Sequence, residues 1–130
     1  MRQFSILRDK KKIIVGQRQY PDAYAVASGG PAGTKQSSRM GVYLKNDSLQ
    51  YNNRPFYQLD RGGQYLHYMN SGYWGIGSTL GGGVGIYAPQ KGLLTPPATG
   101  WRYYSSASGW KYDPQLTVTE SGVLFLSYEE

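Results

Sequence analysis

His67 is the only histidine in the 130-residue chain, and there is no cysteine. A serine nucleophile would have to draw on that one base, and no Gly-x-Ser-x-Gly elbow is present. The interior carboxylates beyond the first strand candidates are Asp47, Asp60, Asp113 and Glu120. A glycosidase would need two of them facing each other across roughly 5–10 Å. Asp60 in "LDRGG" and Asp113 in "YDP" stand instead in turn sequences, where an Asp side chain ordinarily bonds nearby backbone amides. No His or acidic spacing suits a metal, and the lack of cysteine removes thiolate sites and disulfides alike. The glycine-rich stretches "GGPAGTKQSS" and "STLGGGVGIYA" match neither the phosphate-loop nor the dinucleotide pattern. The chemistry-bearing residues thus lead to the expectation of a non-enzyme with no metal and no cofactor.

What the chain has in quantity is rings. Thirteen Tyr, three Trp and three Phe make 15% of the residues aromatic, and a domain of this size fully encloses only roughly half of such a set. An exposed Trp or Tyr can stack on the planar face of a sugar while adjacent polar groups pair with its hydroxyls. The candidates for such a site are Trp74, Trp101, Tyr103 and Trp110, with Arg54, Asn70 and Arg102 as polar neighbours. The competing reading makes Trp74, Trp101 and Trp110 core pillars of the sheets, in a core built from rings whose hydroxyl and indole ends need polar partners or water.

The formal net charge is +6, and most of it is N-terminal. Arg2, Arg8, Lys10, Lys11, Lys12 and Arg18 against Asp9 give residues 1–20 a net +5, leaving +1 for residues 21–130. The basic segment around Arg8, Lys10, Lys11 and Lys12 is either a solvated hairpin turn or an arm toward nucleic acid. A nearly neutral remainder ranks nucleic acid third among the partners. No apolar run reaches the ~18 residues of a membrane span. The start has no apolar core of a signal peptide, so the compartment is left open, with the lack of cysteine mildly favouring a reducing one.

Positioning such residues falls to strands. No window shows helical periodicity free of Gly or Pro, whereas short apolar runs recur every 8–14 residues. These are 4–7, 12–15, 24–27, 41–44, 55–59, 64–69, 73–76, 85–88, 100–104, 109–112, 116–118 and 123–128. The spacers between them carry the Asn, Asp and Gly that tight turns need. The pattern predicts an all-β antiparallel sandwich or barrel with short strands and Gly-rich turns. We expect one domain over 21–130 behind a basic strand pair or arm over 1–20. Residues 28–38 read as a flexible loop by composition.

A further pattern runs through Asn53, Arg54, Pro55 and Tyr57; Tyr65, Leu66 and Tyr68; Trp74, Ile76 and Gly77; Gly100, Trp101 and Tyr103; Trp110; and Asp113, Pro114, Leu116 and Val118. It resembles a small Tyr/Trp/Gly-rich repeat module of large multidomain proteins from invertebrates and protists, over residues 41–118. One departure is Asn52-Asn53, where the module has Asn-Gly, so a non-glycine residue must make that turn. The resemblance implies a non-catalytic, β-rich recognition or assembly unit and names no ligand. Three functions follow in order: a lectin-like module for a carbohydrate or glycoprotein; a structural protein joining copies or partners through β edges and Tyr-rich faces; and a nucleic-acid binder.

Overall fold

The computed structural model describes residues 20–121. Nine strands form one antiparallel sheet: β1 (Ala23–Ser28), β2 (Gly41–Tyr51), β3 (Arg54–Leu59), β4 (Tyr65–Tyr68), β5 (Trp74–Gly77), β6 (Val84–Tyr87), β7 (Arg102–Ser105), β8 (Gly109–Tyr112) and β9 (Leu116–Glu120). Their order is β9-β1-β2-β3-β4-β5-β6-β7-β8, a meander whose last strand returns to pair with the first. The sheet curls into a half-barrel, so the chain is all-β. The expected strands 4–7, 12–15 and 123–128, and the basic side chains Arg8, Lys10, Lys11 and Lys12, lie outside the described residues.

The two outermost strands, β8 and β9, are consecutive in sequence and joined by only Asp113, Pro114 and Gln115. A four-step connection spans at most about 15 Å, so the curl must bring the ends of the sheet together. The Val118 amide donates to the Ala98 carbonyl at 3.0 Å, which covers the outer edge of β9 with the loop preceding β7. Among the described residues β8 has one strand neighbour only and forms the edge of the sheet.

Alternation fills the concave side. Cross-strand partners Tyr24 and Tyr43, Tyr57 and Leu66, Leu66 and Ile76, and Ile86 and Tyr103 are all in the core. The same row continues through Val26 opposite Val118. A core of rings must satisfy their polar ends. Tyr43 donates its hydroxyl to the Arg39 carbonyl and Tyr57 to the Pro21 carbonyl, both at 2.7 Å. Burial pushes both hydroxyls well above the usual tyrosine range, so they stay protonated donors.

Residues 28–38, expected as a flexible loop, instead carry two short turns, α1 (Ala32–Lys35) and a 3-10 turn (Ser37–Arg39). Ala32 and Gln36 are buried. Gln36 donates its amide to the Tyr104 carbonyl at 2.7 Å and accepts from the Arg39 guanidinium at 2.6 Å. A Cβ at Gly85, where β6 bulges against β5, would meet the Gln36 carboxamide and the Arg39 guanidinium, so any larger residue there must displace that hydrogen-bonded pair. Within the segment itself a Cβ at Gly33 would collide with the Ser28 carbonyl and one at Gly30 with the Asp113 carboxylate, so the glycines that read as flexible serve close packing.

The Asn52-Asn53 hairpin turn is made without glycine. Both residues take left-handed φ values, 53° and 64°, as a two-residue primed hairpin turn requires. Asn52 also donates its side-chain amide to the Tyr68 carbonyl at 2.8 Å, tying the turn to β4.

No helix among the described residues is long and apolar enough to cross a membrane.

Candidate functional site

The three tryptophans divide. Trp74 opens β5 and is fully buried, its indole N–H donating to the Leu93 carbonyl at 2.9 Å. Trp101, just before β7, is equally buried and donates to the Pro97 carbonyl at 2.7 Å. Tyr103 packs beside them in the core. None of these three rings offers a face to solvent. At about 25 cal/mol per Å² over roughly 200 Å², each enclosed Trp contributes on the order of 5 kcal/mol to burial.

Trp110 is different, with 42% of its surface exposed on the free strand β8. The register pairs Tyr104 with Trp110 and Arg102 with Tyr112 across β7 and β8, and Tyr87 with Arg102 across β6 and β7. Tyr103 and Ile86 point inward, so Tyr87, Arg102, Tyr104, Trp110 and Tyr112 share the outer face. Trp110 reaches across β7 to meet Tyr87 edge-on, with ring centroids 4.9 Å apart at 86°. It meets Tyr104 at 5.4 Å and 69°. Tyr87 continues the chain of rings to Tyr73 at 5.8 Å and 73°. Four rings thus brace one another in a ridge, with Tyr112 (52% exposed) beside it.

Cations border this ridge. Arg102 lies in the row between Tyr87 and Tyr112, and the Lys91 ammonium stands 5.7 Å from the Tyr73 ring centre. The remaining sequence candidates fall elsewhere. The Arg54 guanidinium sits 3.7 Å over the Tyr68 ring, which in turn meets Trp74 edge-on at 5.6 Å. That contact braces the β3 and β4 strands. Asn70 stands exposed in the β4–β5 turn, where it lines a shallow cleft of about 230 Å³ with Met69, Ser71, Gly81 and Gly82. A broader cleft of about 610 Å³ surrounds the β2 bulge at Lys45–Leu49. Its Lys45 is engaged by Asp22 at 3.5 Å and Asp47 at 3.8 Å.

Of the seven sequence candidates, the structure places only Trp110 and Arg102 on this outer face, and gathers Trp74, Trp101 and Tyr103 in the core. Sequence reasoning missed Tyr73, Tyr87, Tyr104, Tyr112 and Lys91. The signal that finds the tyrosines is the parity of each ring relative to Ile86 and Tyr103, which only the hairpin register supplies.

The chain's single histidine is structural. His67 is fully buried although it lies on the outer parity of β4, because Tyr51 packs edge-on against it at 5.6 Å and the 78–83 loop covers it. Its Nε2 accepts from the Gly81 amide at 3.2 Å, so the neutral ring carries its proton on Nδ1, 3.3 Å from the Tyr65 carbonyl. Burial lowers its pKa below the ordinary 6.5, a shift that the Tyr65 contact only partly offsets. The folded-state value being depressed, the unfolded chain binds the proton more tightly. The stability His67 confers is complete above about pH 6.5 and is lost as the pH falls through the folded value. No other side chain ordinarily titrates in this window. Melting curves at pH 7.5 and 5.5 should show a drop in the wild type that His67→Gln lacks; an equal drop in both would refute the assignment.

Among the described residues no three His, Asp or Glu side chains converge on a metal-sized site. No family model matches the chain, and comparisons with curated proteins and with solved structures gave no match.

Proposed function

We propose that this chain is a non-catalytic binding module that recognises a carbohydrate, free or on a glycoprotein, through the outer ridge of β5–β8. The observation that carries this reading is the exposure of Trp110 within a set of rings held rigid by edge-to-face contacts. Folding gains little from leaving Trp110, Tyr104 and Tyr112 at the surface, and clustered exposed rings mark an interaction site. Rings that are already braced lose little freedom when a ligand docks. A sugar ring presents C–H groups to such a surface while its hydroxyls meet Arg102 and the strand edge.

A glycan array probed with the intact chain and with Trp110→Ala tests this. Discrete glycan signals should fall at least tenfold in the variant, as expected when a central ring of an interface is truncated. Its folding stability should fall by about 1–2 kcal/mol, from two lost edge-to-face contacts, well short of the loss from emptying a core Trp site. Equal signals from both proteins would refute the site.

A second reading has its own observation. Among the described residues β8 has no neighbour on one side, and an unpaired edge bearing Trp110 and Tyr112 is a template for pairing with another chain. Assembly through that edge would appear as a mass that rises with concentration, together with silence on the array.

A further inference from the structure

We infer that the ligand of the aromatic ridge is an acidic saccharide, carrying a carboxylate or sulfate beside its ring, and that Arg102 pairs with the acid group. This rests on the ridge being a glycan site and adds the charge of the glycan.

The argument is one of charge segregation. Arg102 is half-buried in the row between Tyr87 and Tyr112, and Lys91 stands against Tyr73 at the far end of the ridge. The five carboxylates of the described residues are elsewhere. Asp22 and Asp47 hold Lys45, and Asp60 is in the β3–β4 turn. Asp113 is buried among hydrogen-bond donors, and Glu120 stands opposite Tyr24 on β9. Among the described residues the only ion pairs are those of Lys45, so no carboxylate of the described residues answers Arg102. A guanidinium flanked by rings is weakly hydrated and presents a planar fork that fits a carboxylate or sulfate through two parallel hydrogen bonds.

Other anionic occupants fit less well. Single-stranded nucleic acid stacks successive bases on aromatic faces, whereas consecutive rings of this ridge lie at 73°, 86° and 69° to one another. A second copy docked face to face would set the same cations against themselves.

The test measures binding of the intact chain to three probes: a heparin-derived oligosaccharide, an oligogalacturonate and a neutral cello-oligosaccharide of matched length. Proteins compared are the wild type, Arg102→Gln, Arg102→Lys and, as a control of equal charge change in the β3–β4 turn, Arg61→Gln. At least one acidic probe should bind about tenfold tighter than the neutral one. Arg102→Gln should lose roughly tenfold for that probe, Arg102→Lys should lose less, and Arg61→Gln should stay within about twofold. Equal losses in Arg102→Gln and Arg61→Gln would overturn the inference as non-specific attraction to a basic chain. Binding of the neutral probe alone would overturn it while leaving the glycan reading standing; binding of none would remove both. An oligonucleotide bound with the same dependence on Arg102 would also overturn it, by assigning the face to nucleic acid.

Discussion

Trp74→Ala is expected to lose about 3–5 kcal/mol of folding stability, the usual cost of emptying a large aromatic site in a core. A domain of this size is stable by only about 5–15 kcal/mol, so the variant should melt far below the wild type. The reasons are specific. Trp74 is fully enclosed, packs on Tyr68, and holds the loop at Leu93 through its indole N–H. Replacing it with Ala leaves a cavity and strands the Leu93 carbonyl. Trp74→Phe keeps most of the volume and removes the hydrogen bond, and should cost about 1–2 kcal/mol. Chemical denaturation of the three proteins measures both steps. A Trp74→Ala variant as stable as the wild type would show that the ring is not a pillar of the barrel.

Asp113→Ala is expected to cost about 3 kcal/mol, because one buried carboxylate serves three donors. The Ser28 hydroxyl donates at 2.6 Å, the Ala32 amide at 3.0 Å and the Gln115 amide at 2.8 Å. These bonds tie the β8–β9 link to the end of β1 and the start of α1, closing the curl of the sheet. The fit leaves no slack, since a Cβ at Gly30 would come within 2.6 Å of the carboxylate. Burial resists ionisation, yet the bonds from Ser28, Gln115 and Ala32 outweigh it and hold the carboxyl below its ordinary 3.8. The folded value being depressed, this stabilisation is complete above the unfolded value and is lost as the pH falls through the folded one. Acid unfolding of the wild type should therefore show a limb below about pH 4 that Asp113→Ala lacks, separate from the His67 step. At neutral pH the stability of Asp113→Asn should fall between those of the wild type and Asp113→Ala, since its single carboxamide oxygen can serve only one side of the site and its NH2 group then faces a donor on the other. An Asp113→Ala variant with an unchanged acid limb would refute this role.

These two residues show what a sequence of this kind reveals. The strands were legible because each is bounded by Gly, Asn or Asp at a turn, and the runs at 109–112 and 116–118 coincide with β8 and the first part of β9. The local half of Asp113's role was legible too, as a turn Asp bonding the Gln115 amide. Its bonds to Ser28 and Ala32, 85 and 81 residues away, depend on the curl of the sheet and leave no local trace. The tryptophans make the same point. "GWRYY" and "GWKY" are near-copies, yet Trp101 is enclosed and Trp110 exposed. The β7–β8 hairpin decides this by pairing Ser105 with Gly109, which places Trp110 on the parity of Tyr104 instead of Tyr103. One residue more or less in that turn would reverse the faces.

The most direct test of the division between core and surface rings is a nitrogen-15 NMR titration of the intact chain, following the three indole N–H signals as a bound oligosaccharide is added. Trp74 and Trp101, bonded to Leu93 and Pro97 in the core, should exchange slowly with solvent and hold their positions, while Trp110 exchanges fast and shifts to saturation. A titration in which the signal of Trp74 or Trp101 moves and that of Trp110 stays fixed would contradict the aromatic ridge as the binding face.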